Sequence, residues 1–187
     1  MIILIGGPSC TGKTLLAQRM LERYHMPYLS IDHLKMGLIR SGRCDFKVDD
    51  TDEKIASEMW PVLKGMIMTC VENRQHMIIE GCYLLPELIR SLDESYLREV
   101  HLLYLIFKAD YIRRHFESKI ITHRSVIEQR LYEETRPLSQ VIAEHEKIRQ
   151  LCLLSDVTYF EIEDDYESEI ASVFGYFDGF MRDKEGI

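Results

Sequence analysis

The sequence predicts an α/β protein: a three-layer sandwich with a parallel five-stranded sheet flanked by helices. Three observations predict it. Short apolar runs alternate with stretches of helical periodicity along the 187 residues, the pattern of successive βαβ units. The first run, Met1–Ile5, leads straight into Gly6-Gly7 and then a helical stretch. Val100–Phe107 is the clearest strand, followed at once by a capping residue and another helical pattern.

The remaining elements follow in order. Thr14–Tyr24 carries Leu15, Leu16, Met20 and Leu21 at helical spacing. Pro27–Ser30 reads as a short strand leading to Asp32, His33–Arg40 as a helix, and Ser41–Asp50 as a loop. Asp50 and Glu53 have the spacing of a capping box. The stripe Ile55, Met59, Val62, Leu63, Met66, Ile67 and Cys70 then predicts a helix to about Asn73. Pro61 is expected to kink or split it, because proline lacks an N–H and crowds the preceding turn. His76–Glu80 is the third strand, and Asp110 is placed to cap a helix over Tyr111–Lys119. Pro137 opens a helix through Leu138, Val141, Ile142, Ile148 and Cys152. Val157–Ile162 is the last strand and Glu167–Arg182 a closing helix, weakened by Gly175 and Gly179. Residues 1–187 are expected to form a single domain, with about 108–136 as a small helical lid.

Composition narrows the function. The net charge of −8 is concentrated: residues 156–187 hold ten acids against Arg182 and Lys184, so residues 1–155 are neutral. A nucleic-acid partner calls for a basic surplus, and none is expected. The five cysteines have no CxxC spacing, which argues for reduced thiols and against a zinc site or a disulfide framework. The apolar run Ile2–Ile5 is too short for a signal peptide, and no stretch approaches the ~20 apolar residues of a membrane span. A cytoplasmic location without a membrane partner is the expectation. Oligomeric state is not legible.

The chemistry starts at Gly7-Pro8-Ser9-Cys10-Thr11-Gly12-Lys13-Thr14, a full G-x-x-x-x-G-K-[ST] match between a strand and a helix. Gly7 and Gly12 permit close backbone approach. The N–H groups of Gly7, Ser9, Cys10, Thr11, Gly12, Lys13, Thr14 and Leu15, with the following helix dipole, are suited to phosphate oxygens. Lys13 is expected to reach the β- and γ-phosphates of ATP, and the Thr14 hydroxyl to ligate Mg²⁺. In open α/β sheets, ligands sit beyond the carboxyl ends of the strands. That rule adds Asp32 after the second strand, Glu80 and Gly81 after the third, and Lys108 and Asp110 after the fourth. Glu80 is a candidate metal carboxylate. Asp32 is a candidate base, metal ligand or helix cap. Seven bases between Lys108 and Arg136, Arg114 and Arg124 among them, are candidates for a lid that closes over transferring phosphate.

On these residues the chain resembles the P-loop small-molecule kinases related to the nucleoside monophosphate kinases. Ser30-Ile31-Asp32-His33-Leu34-Lys35 is similar to the segment that follows the second strand there. The resemblance implies that helices over about residues 32–75 bind the phosphoryl acceptor, a small molecule, with Asp32, Lys35 and secondarily Arg40 facing it. Three stretches, Ile5–Thr14, Glu80–Pro86 and His145–Gln150, are most similar to 2-phosphoglycerate kinase-like proteins. Nucleotide kinases follow their acid-glycine pair with Phe-Pro-Arg, whose arginine grips a monophosphate. Cys82-Tyr83-Leu84 stands here instead, and Arg90 is distant. The expected function is phosphoryl transfer from Mg-ATP to a small hydroxylated or phosphorylated metabolite. The alternatives are a nucleoside or nucleoside monophosphate kinase and a regulatory ATPase. A GTPase is disfavoured, because Asn73 is the only asparagine and Asn-Lys-x-Asp cannot form.

Overall fold

The computed structural model describes residues 1–123, 127 and 135–185, with side chains of the last helix described through residue 179. Its strands are β1 (Ile2–Gly6), β2 (Tyr28–Ser30), β3 (Met77–Glu80), β4 (Val100–Phe107) and β5 (Thr158–Ile162). They form one sheet in the order β2-β3-β1-β4-β5, and every pairing is parallel. Such a sheet needs cover on both faces, and the alternation of β1 shows how it is supplied. Met1, Ile3 and Ile5 enter one apolar cluster, while Ile2 and Leu4 enter the other.

The first cluster is closed by helices α1 (Lys13–Tyr24), α6 (Ala109–His115), α7 (Leu138–Leu154) and α8 (Tyr166–Glu185). The second is closed by α2 (Ile31–Ser41), α3 (Asp52–Glu72), α4 (Pro86–Ile89) and α5 (Glu94–Leu97). A π-helical turn, Phe116–Ile121, continues α6. No helix among the described residues is long and apolar enough to cross a membrane.

Several local expectations need correction. Helix α3 runs unbroken through Pro61. Ser57, whose carbonyl loses its intrahelical donor there, is exposed, as is Pro61, so water can replace the bond. The cap of α3 is Thr51, which accepts from Lys54 N at 3.3 Å. Asp50 instead accepts from Lys47 N at 2.7 Å and pairs with Lys54 at 2.8 Å. Helix α2 starts at Ile31 with Ser30 in the N-cap position, so Asp32 lies inside the first turn and is not the cap. Asp110 likewise falls within α6, whose N-cap is Lys108. Helices α4 and α5 occupy a stretch with no sequence assignment, being too short for periodicity to register.

The pairing register builds the site. Ile5 and Ser30 both pair with Glu80, so β1, β2 and β3 end level. The P-loop, Asp32 and Glu80-Gly81 therefore leave the sheet at one edge.

Candidate active site

The loop after β1 is shaped by its positive φ angles: 138° at Gly7, 67° at Cys10 and 83° at Gly12. A Cβ on Gly7 would strike the Leu105 carbonyl, and one on Gly12 would strike the Tyr166 hydroxyl. Tyr166 is placed there by the start of α8. Asp165 accepts from Ser168 N at 2.9 Å, and Glu169 accepts from Glu163 N and Asp164 N at 2.6 and 2.9 Å. These bonds anchor the turn between β5 and α8. The Tyr166 hydroxyl then donates to Gly12 O at 3.4 Å. Nothing in the linear sequence links these residues, which are 154 positions apart.

Helix α1 begins with Gly12 as N-cap and has no side-chain cap. Its first-turn N–H groups are therefore left for an anion. Lys13 is buried, at 6% exposure, and its partners are neutral. Its Nζ donates to Pro8 O at 2.7 Å and to Thr11 Oγ1 at 3.5 Å. The Thr14 hydroxyl donates to Glu80 Oε1 at 3.1 Å, and Glu80 is 2% exposed. A hydroxyl beside a buried carboxylate at the end of a phosphate-binding loop is a donor set that fits Mg²⁺. Among the described residues, no group of three or more His, Cys, Asp and Glu side chains is arranged to hold a metal unaided. A cation here would need phosphate and water oxygens to complete its shell.

A cavity of about 450 Å³ opens on Gly12, Lys13, Thr14 and Leu15. Its apolar walls include Phe107, Tyr111 and Ile120, and its polar rim includes Arg19, Lys119 and Glu167. Arg19 and Glu167 form a two-pronged ion pair, at 2.6 and 2.9 Å. Apart from Lys119, one of the seven bases expected in the lid, sequence reasoning gave none of these residues a role, because they converge only through packing.

Asp32 and Lys35 sit together, with Lys35 Nζ 3.0 Å from Asp32 Oδ1. The same ammonium donates to the Tyr83 hydroxyl at 2.7 Å and stands 4.9 Å from its ring centroid. Burial pulls Lys35 toward the neutral form, but the bonds to Tyr83 and Asp32 outweigh it and leave its pKa raised. Burial pushes the Tyr83 phenol up to about 12, against the opposing pull of Lys35. Burial also raises the Cys82 thiol, which feels the charges of Lys13, Asp32, Asp52 and Glu80. Lys13 and Glu80 are therefore close neighbours of Asp32 and Cys82. Arg40 does not share the Lys35 face: five residues on, at 100° each, it points about 140° away, at the exposed last turn of α2.

The basic stretch behaves differently from a row of free cations. Lys108 pairs with Glu163 at 2.8 Å and Arg113 with Asp110 at 2.6 Å. Arg114 donates to Glu163 O and Asp164 at 2.7 and 2.9 Å, and it is not among the cavity-lining residues. The acidic turn after β5 lies against α6 and takes up Lys108 and Arg114, a contact hidden from the linear sequence, while Arg113 is held by Asp110 of its own helix. Lys119 does line the cavity. Arg124 and about a third of the expected lid, residues 124–126 and 128–134, lie outside the described residues.

No protein-family model and no curated protein matches the chain. Solved structures do resemble it. One is the shikimate kinase of Aquifex aeolicus vf5, at 14% identity and TM-score 0.58, over 97% of this chain and 98% of that one. Another is a sugar kinase from Janibacter sp. HTCC2649, at 17% identity and TM-score 0.53, over 95% and 94%. A third is the deoxyadenosine kinase of M. mycoides, at 12% identity and TM-score 0.50, over 96% and 100%. At such identities the likeness concerns the fold. The chain has the parallel-sheet α/β fold of P-loop kinases.

Proposed function

We propose that the protein is a kinase that moves the γ-phosphoryl group of Mg-ATP to a hydroxyl of a small molecule. The observation that carries this reading is the cavity opening on Gly12–Leu15, with Lys13 buried at its floor and the Thr14–Glu80 pair alongside. Its volume lies within the ~300–1,000 Å³ range of ligand pockets, and its aromatic walls suit a nucleoside. The phosphates would take the loop N–H groups and the Lys13 ammonium, which would leave Pro8 O for a γ-oxygen. Thr14 and Glu80 would hold Mg²⁺, which neutralises phosphate charge when bound. Asp32, at the adjacent strand end, would orient the acceptor hydroxyl and receive its proton. Shikimate, sugar and deoxyadenosine kinases share the fold, which supports a small acceptor. The resemblance to 2-phosphoglycerate kinase-like proteins favours a phosphorylated acceptor, whereas the pairing of Lys35 with Asp32 and Tyr83 favours a hydroxylated, uncharged one.

The test is transfer of labelled γ-phosphate to a metabolite panel, with Lys13→Ala as the blank. Label appearing in a small-molecule product only with the intact protein is the expected result. Release of free phosphate alone would favour a regulatory ATPase.

A further inference from the structure

We propose that Tyr83, by fixing Lys35 against Asp32, makes the acceptor subsite select an uncharged polyhydroxyl molecule over a phosphomonoester. The inference rests on the kinase reading above and specifies its second substrate. A sugar, a polyol or a nucleoside is the class that fits.

The argument begins with donors and acceptors. Lys35 donates to the Tyr83 oxygen at 2.7 Å, so the phenolic hydrogen is directed elsewhere. Tyr83 stays protonated at neutral pH, because burial holds its pKa up at about 12. Asp32, 3.0 Å from Lys35, retains lone pairs that Lys35 does not use. The subsite therefore presents one O–H donor beside one carboxylate acceptor. A hydroxyl both donates and accepts, so it can satisfy both. A phosphomonoester dianion only accepts, and it would meet the Asp32 charge head-on.

Net charge points the same way. Asp52, at the start of α3, is within electrostatic reach of Lys35, Lys147 and Arg136. Each of these cations already faces a carboxylate: Lys35 faces Asp32, Lys147 faces Glu53 at 2.6 Å, and Arg136 faces Glu144 at 2.5 Å. A site that grips a dianion needs a surplus of positive charge, and among the described residues these pairs cancel. In the transfer step the acceptor oxygen bonds to the γ-phosphorus while the bond to the β,γ-bridging oxygen breaks. ADP leaves with that electron pair, and the hydroxyl proton passes to Asp32.

The experiment measures kcat/KM with Mg-ATP for matched pairs: ribose and ribose 5-phosphate, glycerol and glycerol 3-phosphate, adenosine and AMP. 2-Phosphoglycerate serves as a further anionic probe. The expected result is transfer to at least one uncharged member, at least tenfold better than to its phosphorylated partner. Tyr83→Phe removes one hydrogen bond to a charged group, so that ratio should fall about tenfold. Preference for any phosphorylated member or for 2-phosphoglycerate overturns the proposal, as does no transfer to any uncharged member. An unchanged ratio in Tyr83→Phe removes the role given to Tyr83. Mg-ATP titration of the unmodified protein separates the two levels. If ATP binds and label passes to a phosphorylated member, only the acceptor inference has failed; if ATP does not bind, or is hydrolysed with no transfer to any member, the kinase reading has failed with it.

Discussion

Two lysines at the same sheet edge, Lys13 buried and Lys35 half-buried, have opposite surroundings. Lys13 bonds a carbonyl and a hydroxyl, both neutral. Lys35 bonds a phenol and stands beside a carboxylate. An ammonium with neutral partners keeps its field, and a buried field of that kind is what a polyphosphate needs. An ammonium facing a carboxylate has surrendered its net charge and can only orient. The residue type is therefore uninformative by itself; the partner decides whether a lysine binds an anion or positions a neighbour.

The most direct way to break this comparison is Lys13→Ala. Losing a preorganised cation from the transferring phosphate should cost about 10²–10³-fold in kcat, read by labelled phosphate transfer. A loss of less than tenfold would mean that Lys13 is as spent as Lys35.

His145 probes the ground beneath the nucleotide side. Its Nδ1 accepts from Phe107 N at 2.8 Å and its ring stacks on Phe107 at 5.4 Å. Burial first, and then the charges of Lys13 and Arg136, lower its pKa to about 3. The folded state thus prefers neutral His145, whereas the unfolded chain protonates it near 6.5. Its contribution is complete above pH 6.5 and is lost progressively as the pH falls toward 3. The loss is on the order of 4 kcal/mol. Denaturation midpoints between pH 7.5 and 4 should fall more steeply for the parent than for His145→Gln. Parallel curves would show that the ring is not held neutral.

A smaller effect is expected at Gly12. Alanine there must adopt φ 83° and meet the Tyr166 hydroxyl, at about 1–3 kcal/mol of stability. Urea denaturation of Gly12→Ala, alone and with Tyr166→Phe, measures how much of that cost is collision. If the double variant is no better than the single one, backbone strain is the whole cost. The smallest change should be a gain. Gly175 lies inside α8, exposed, with open space around a Cβ. Gly175→Ala should stabilise by about 0.4–1 kcal/mol and leave both halves of the site as they were. A destabilised variant would place α8 in contacts not seen here.

Legibility differed sharply between the two sides. The loop after β1 could be read because Gly7–Thr14 is contiguous, and a strand running into it marked where it sits. Strand order was not read, but five parallel strands were, from the alternation of apolar runs. Caps were misjudged by one or two residues, because Asp50, Thr51 and Asp52 are all competent and only local geometry chooses among them. The wall residues Tyr111, Tyr166 and Arg19 gave no signal, since aromatic and charged residues on helices usually serve packing or solvation.

The sequence by itself determined the α/β class, the glycine-lined loop after β1 and the acids at the ends of β2 and β3. Their logic is local: hydrophobic period, glycine conformations and the strand-end rule operate within a few residues. Only the tertiary structure decided which cations are free. Pairing Lys35 with Tyr83 spans 48 positions, Arg114 with Asp164 spans 50, and Lys147 with Glu53 spans 94. Charge acts through space, and the chain order of a lysine says nothing about the carboxylate that the fold brings to meet it.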